Sequence, residues 1–282
     1  MIFIRVLIIS LFHFTSVLSA NIALLIIDVQ NCFLPGGSLA VAEGNQVVPV
    51  INNIRATHTS TFTLVVLSQD WHCSNHISFA SHHKNKHPNE DIILQYDNKG
   101  SLCDYANKTC SEVKYNISQR LWPDHCVMNS SSAEFSTNLT RQSTDFIVRK
   151  GHNCEVDSYS AFFDNGQFRH TELNDKLRNS GIDTVFVTGL ARDYCVYYTA
   201  KDAQDLGIFT YVILDATRPV SEGTGEEAVK DMRNKGIQII NSDDLSSVIH
   251  EITNSGVVHF SWNILTVLMI FQALFSFFNI EY

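Results

Sequence analysis

Hydrophobic residues along this chain fall into short runs that stop at a polar position. Residues 22–28 read IALLIID, an apolar run closed by Asp28. A run without alternation suits a strand buried on both faces. Similar runs occur at 61–70 (TFTLVVLSQD), 145–150 (DFIVRK), 183–190 (DTVFVTGL), 209–215 (FTYVILD) and 236–240 (GIQII). Residues 39–57, 194–206 and 223–235 have helical character. Strand alternating with helix predicts crossovers, and so a three-layer α/β fold with a mostly parallel sheet flanked by helices. The stretch 82–120 is polar and breaks the pattern; it reads as an elaborated loop, not a domain. No internal repeat is visible.

The two ends have patterns of their own. Residues 1–20, MIFIRVLIISLFHFTSVLSA, combine one Arg, an apolar run and a small-residue exit, the layout of a secretory signal peptide; the alternative is a buried first strand. Residues 264–278, ILTVLMIFQALFSFF, follow a short spacer and the small polar residues Asn254, Ser255 and Gly256. A GPI-attachment signal over 255–282 is the expectation. A retained membrane helix is the rival, although the run is short for one and no Lys or Arg follows it. Four N-x-S/T triplets, at Asn107, Asn116, Asn129 and Asn138, agree with export and glycosylation. The expected location is the outer face of the plasma membrane, held by a lipid anchor, with a transmembrane anchor or secretion as alternatives. Residues 21–254 remain, about 235 residues, enough for one α/β domain with its own core.

The net charge is −9, from 20 Lys+Arg against 29 Asp+Glu. No basic stripe is present to neutralise phosphates, which excludes a nucleic-acid partner. An exported chain can hold disulfides. Seven cysteines leave at least one free or paired with another chain.

Candidate chemistry lies at the strand ends, where open α/β sheets carry their sites. Asp28, Asp70, Lys150 and Cys195 each end or follow a predicted strand. Cys195 begins a helix, where unpaired N–H groups and the helix dipole favour a thiolate and an adjacent oxyanion. With Asp28 as base and Lys150 as a positive neighbour it would be a nucleophile. The residues alone leave the alternatives open: a small buried Cys195, Asp28 as a helix cap, Lys150 as a solvated amine. In SQDWHCSNH, Asp70 and His72 lie two apart and point the same way. With His125 from LWPDHCV they would suit Zn²⁺ or another divalent first-row metal. His76, His82, His83 and His87 nearby are either further ligands or solvated loop histidines, and the solvated reading is the expectation.

Taken together, IIDVQNCF, DWH with ISFA, LWPDHCV, VRKG with EVDSYSAFFDN, and VTGLARDYCVYYTAKDA resemble the nicotinamidase branch of the isochorismatase-like cysteine hydrolases, over residues 22–241. The resemblance implies a Rossmann-like sheet and an amidohydrolase that converts nicotinamide to nicotinate and ammonia through a thioester. It implies Cys195 as nucleophile, Asp28 as base and then acid, and Lys150 as third member. The Leu190–Ala191 peptide would be cis, with the Ala191 and Cys195 N–H groups as oxyanion hole. Asp70, His72 and His125 would bind one divalent ion, Zn²⁺ foremost with Mn²⁺ and Fe²⁺ as alternatives, and the pyridine nitrogen would complete its shell. Phe33, Trp122 and Tyr159 would line the ring pocket, although aromatic residues are more often core.

This chain departs from the family pattern at Cys32, where Asp is usual, and at Cys73 and Cys154, where Pro is usual. Cys32 and Cys73 follow strands expected to be neighbours, so a Cys32–Cys73 disulfide is expected, with Cys103–Cys110 clipping the inserted loop. Two other functions stay open: an amidase of another small amide, and a surface-displayed binding protein without turnover.

Overall fold

The computed structural model describes residues 20–103, 110 and 112–254. The signal-peptide reading over residues 1–19, the tail 255–282 and Asn107 lie outside the described residues. The chain divides into two compact units, Asn21–Ser246 and one made of the two chain ends. In the latter the described residues are Ala20 and 247–254, the last being helical. No helix among the described residues is long and apolar enough to cross a membrane.

Unit Asn21–Ser246 is built on a six-stranded sheet. Its strands are β1 (Ile22–Ile27), β2 (Phe62–Asp70), β5 (Phe146–Lys150), β6 (Thr184–Leu190), β7 (Phe209–Arg218) and β8 (Gln238–Ile240), in the order β5-β2-β1-β6-β7-β8. Every pairing in it is parallel. β1 and β6 lie at the centre and are buried at every position, which is why their sequences are unbroken apolar runs. β5 at one edge alternates between exposed and buried residues, and β8 at the other is three residues long; both are ways of blunting an edge. α2 (Leu173–Asn179), α3 (Tyr197–Asp205) and α4 (Glu222–Asn234) join successive strands, and Leu173, Leu177, Ala200, Ala203 and Met232 pack into the core beneath β1 and β6.

Some expected elements differ. The helix read over 39–57 begins only at Val47, as α1 (Val47–Thr57), behind a single tight turn at Gly44–Gln46. Pro49 gives the reason. It has no N–H, so it fits the first turn of α1 but would break a helix already under way from residue 39. Within 82–120 the chain forms an antiparallel ribbon, β3 (Asp91–Tyr96) with β4 (Tyr115–Arg120). The ribbon buries Leu94 and Tyr96 against Ile77, Leu102 and Val156, and the Tyr96 hydroxyl donates to the Glu155 carbonyl at 2.7 Å. The described part of the segment thus carries a ribbon with a small core of its own.

Three disulfides form: Cys32–Cys126, Cys73–Cys154 and Cys103–Cys110. Cys103–Cys110 is as expected. Cys32–Cys73 is not formed, although β1 and β2 are neighbours, because the two strand exits diverge. The chain after β1 turns toward residues 126–136, with Asn31 N–H on Glu134 O at 2.9 Å, whereas that after β2 follows the β5 exit, with Ile77 N–H on Cys154 O at 2.8 Å. Cys195 is the one free cysteine.

Candidate active site

The carboxyl ends of four parallel strands deliver the site. Asp28 follows β1 with φ 48°. Its N–H donates to Ser68 Oγ at 3.2 Å, and the Ser68 hydroxyl donates to Asp28 Oδ1 at 2.7 Å, so β2 fixes this carboxylate. Asp70 ends β2, and its N–H donates to Gln30 Oε1 at 2.8 Å. Lys150 ends β5. β6 ends at Leu190, whose peptide bond to Ala191 is cis, as expected. Gly189 has φ 106°, and a Cβ there would overlap the Ile27 backbone, so only glycine lets β6 run this close to β1. A π-helical turn, Arg192–Val196, then carries Cys195 into the site ahead of α3. The Ala191 carbonyl accepts from the N–H groups of Tyr194 and Val196, and the Cys195 N–H between them does not share it.

Lys150 is the hub. Its ammonium lies 2.9 Å from Asp28 Oδ2 and 2.7 Å from Asp70 Oδ1, with its side chain fully buried. It also donates to Ser158 O at 3.0 Å and lies 3.4 Å from Cys195 Sγ. The solvated-amine alternative is thereby corrected: Lys150 is an interior cation. An Asp28 oxygen, an Asp70 oxygen and Cys195 Sγ all fall within 4.8 Å of one another. One ammonium cannot balance three anions, so a proton stays in the cluster. Burial raises the Cys195 pKa well above the thiol range, against the pull of Lys150 and with help from Asp28. Burial likewise raises Asp28, with Lys150 opposing. For Asp70, burial is outweighed by Lys150 and His72, which hold the carboxyl well below the usual range. Burial opposes the charge on Lys150, but Asp28 and Asp70 keep its pKa well above that of a free lysine. The resting pair is a neutral thiol facing a carboxylate of raised basicity.

The second cluster lies alongside. His72 Nε2 is 3.2 Å and His125 Nε2 3.7 Å from Asp70 Oδ2. His72 Nδ1 contacts Gly151 O at 2.9 Å and His125 Nδ1 contacts Pro123 O at 2.8 Å. Carbonyls only accept, so both Nδ1 atoms carry hydrogen and both Nε2 atoms are left turned toward Asp70: each donates an N–H to the carboxylate when its ring is protonated and offers a lone pair to an ion when its ring is neutral. Three acceptors turned on one point, each imidazole oriented by a carbonyl behind it, fit a divalent first-row ion. His76 departs from its solvated reading. It is fully buried, its ring lies tilted against His72 with centroids 4.0 Å apart, and it contacts Ser78 Oγ at 2.7 Å. Burial, then the charges of His72 and His125, push its pKa well below the usual value. His82 and His87 are exposed as expected, while His83 is half-buried.

A narrow cleft joins the two clusters. Phe33, Trp122 and Tyr159 line it together with Ala191, Cys195, Asp70, His72 and His125. Leu39, Asp157, Tyr194 and Val220 complete the wall and were not singled out in the sequence. Asp157 and Tyr194 sit inside the motifs EVDSYSAF and LARDYC, and that adjacency was the available signal. Trp122 Nε1–H donates to the Tyr159 hydroxyl at 3.3 Å, and Gln119 Nε2 donates to Asp157 Oδ2 at 2.9 Å. β4 thus builds one wall. A larger open groove of about 710 Å³ between the β1 exit and α1 contains no titratable side chain. Asn116, Asn129 and Asn138 are all exposed.

A parallel α/β sheet with a thiol, a carboxylate and a buried ammonium at its carboxyl edge defines a cysteine hydrolase. The chain belongs to the isochorismatase family, whose domain model matches residues 22–244. It is 39% identical over 226 residues to a nicotinamidase of Acinetobacter baylyi, covering 80% of this chain and 94% of that one. Among solved structures it is similar to the yeast nicotinamidase bound to the inhibitor nicotinaldehyde, at 30% identity and TM-score 0.69 over 78% of this chain and 99% of that one. It is also similar to the pyrazinamidase of Pyrococcus horikoshii in complex with zinc, at 30% identity and TM-score 0.59 over 78% and 99%.

Proposed function

We propose that this chain is a nicotinamidase, hydrolysing nicotinamide to nicotinate and ammonia. The observation that carries the reading is Cys195 Sγ set beside Lys150 and the Asp28 carboxylate, on a cleft whose other wall holds three convergent metal-type acceptors. Asp28 takes the Cys195 proton as sulfur attacks the carboxamide carbon. The Ala191 and Cys195 N–H groups face the developing oxyanion, and donors of this kind are worth about 3–4 kcal/mol each. Asp28 returns the proton to the departing nitrogen and ammonia leaves. Asp28 then activates the water that cleaves the thioester. Lys150 holds Asp28 in place and compensates the charge that passes between sulfur and carboxylate. Phe33, Trp122 and Tyr159 confine the flat ring. Asp70, His72 and His125 would hold a divalent ion, Zn²⁺ by likeness to the zinc-bound relative, and that ion would supply a Lewis-acid partner for the ring nitrogen.

The test is ammonia release from nicotinamide by the full chain, with and without chelator and with Cys195→Ala alongside. Loss on both treatments supports a metal-dependent cysteine amidase. Release that survives Cys195→Ala overturns it, and turnover of only a carbamoyl compound would favour the other-amide reading.

We further propose, from the two chain ends and the acceptor triplets, that the protein takes the secretory route and is lipid-anchored at the outer cell surface, with glycans on the exposed acceptors. Three disulfides in one chain support an oxidising compartment. N-terminal sequencing of material from secreting cells, and its release by a phosphatidylinositol-specific lipase, test the two ends. Retention of residues 1–20, or activity confined to the cytosol, would end this part of the reading.

A further inference from the structure

Each histidine facing Asp70 is followed at once by half of a disulfide: His72 by Cys73, His125 by Cys126. Cys73 is bonded to Cys154, three residues beyond Gly151, whose carbonyl orients His72. Cys126 is bonded to Cys32, directly before Phe33, whose ring lies 5.6 Å from His125. The two histidine segments are also tied to each other, by His72 N–H on Cys126 O at 3.0 Å and Met128 N–H on His72 O at 2.7 Å. The order in space is β1 exit, disulfide, His125 segment, backbone bridge, His72 segment, disulfide, β5 exit. His125 lies in irregular chain, and His72 just beyond the end of β2. The bonds span 94 and 81 residues of sequence, and long closures remove much freedom from a chain. Cys126 moreover has φ 44°, a conformation that a non-glycine residue holds only when its surroundings fix it.

We propose that Cys32–Cys126 and Cys73–Cys154 are positioning groups for the metal centre: they hold the two histidine segments in register, so that metal affinity depends on their being intact. This rests on the metal reading of Asp70, His72 and His125 given above. Cys103–Cys110 closes a loop of seven residues' separation beside the ribbon and has no such part. A merely structural disulfide lowers the melting temperature and leaves the affinity of the folded protein unchanged. A positioning one changes that affinity, and groups that orient ligands from behind typically account for 10–100-fold.

The experiment measures Zn²⁺ affinity by chelator competition on the full chain and on the paired variants Cys32→Ala/Cys126→Ala, Cys73→Ala/Cys154→Ala and Cys103→Ala/Cys110→Ala, with circular dichroism to establish folding. Alanine leaves no thiol to act as a new ligand. The expected result is at least a tenfold weaker Kd for the first two pairs and a change within twofold for the third. If a pair variant does not fold, zinc release from the folded unmodified protein is followed during reduction by a phosphine; each disulfide becomes two thiols as the phosphine becomes its oxide, with water supplying oxygen and protons. Faster release in step with loss of these two bonds is then expected. Affinity or release unchanged within twofold overturns the proposal. An unmodified protein that binds no zinc overturns the metal reading itself, and the proposal with it.

Discussion

Lys150→Met keeps most of the lysine stem and removes only the ammonium. Two buried carboxylates, Asp28 and Asp70, would then share a pocket with no neighbouring lysine; their oxygens now lie 2.9 and 2.7 Å from the nitrogen, whose side chain has no exposure. Breaking a buried ion pair from one side typically costs about 3–5 kcal/mol, because a charge is left buried without compensation. At about 2–4 °C per kcal/mol for a unit of this size, the melting temperature of chelator-treated protein should fall by roughly 6–20 °C near pH 7.5. The sign of the pH dependence is fixed. Without the ammonium, burial and Asp70 raise the folded-state pKa of Asp28 unopposed by Lys150, further above its unfolded value, so Asp28 penalises the fold above the unfolded pKa and less as protons bind. In the unmodified protein Asp70 is held low, and the stability it lends is lost as pH falls through that low pKa. The gap between the two proteins should therefore narrow from pH 7.5 to pH 5. Urea unfolding followed by circular dichroism at both pH values measures it. A loss below about 1 kcal/mol, or a gap that does not narrow, would refute the view of Lys150 as the charge that holds this cluster together.

Three further outcomes are expected. In metal-free protein, burial and Asp28 keep the Cys195 thiol protonated against Lys150, so alkylation by iodoacetamide should still be accelerating as pH rises past 9; a plateau below pH 8 would contradict this. Gly151 has φ +68°, and a Cβ there would overlap the His72 ring. Gly151→Ala should therefore weaken zinc binding at least tenfold, and an unchanged Kd would mean that His72 is not held from behind as described. Asp193 accepts from Val220 N at 2.8 Å, Ser221 N at 3.2 Å and the Thr224 hydroxyl, tying the turn that carries Cys195 to the start of α4. Asp193→Ala should cost about 2–4 kcal/mol through the lost charge-assisted bonds and raise KM, because Val220 lines the cleft; a cost below about 0.5 kcal/mol would remove the tie.

What could be read from the sequence depended on how local each feature is. β1 and β6 were legible because burial on both faces forces an unbroken apolar run, and a run that ends marks a strand end. That placed Asp28, Asp70, Lys150 and Cys195 on one edge of the sheet before any contact was known. Where a long side chain carries its tip is a different matter. DFIVRK gives no sign that the Lys150 ammonium turns inward, since the partners that draw it there are 122 and 80 residues away, just after β1 and at the end of β2. The ribbon was missed for a similar reason. Ile93 is 63% exposed, and β3 and β4 bury too few residues to show a strand pattern, so their pairing depends on Ile77 and Val156, both outside the segment. His76 reads as solvated among other loop histidines, and its burial comes from the packing of its ring, tilted, against those of His72 and Phe79. The disulfide partners followed the paths of the strand exits, which backbone bonds between distant loops decide.

The cysteines pose a problem that the site itself answers. Six of them form three disulfides, and on the nicotinamidase reading the seventh has to stay free to react. In an oxidising compartment a free thiol is at risk of exchange, and the thiolate is the species that exchanges. Cys195 is buried and, at rest, protonated, because burial and Asp28 outweigh Lys150. It is therefore a poor exchange partner. On the nicotinamidase reading the same proton leaves only when Asp28 accepts it, with the amide carbon already held against the sulfur. A thiolate made permanent by positive neighbours would have been the simpler nucleophile, but it would also have been exposed to oxidation between turnovers. Sharing one proton between Cys195 and Asp28 restricts reactivity to the occupied site, and the Ser68 hydroxyl on Asp28 Oδ1 leaves the other oxygen facing Lys150 and available for that proton. Asp28→Asn should accordingly do more than slow the reaction: it should leave a Cys195 whose alkylation no longer responds to the carboxylate. Unchanged turnover in that variant would show that some other group takes the proton.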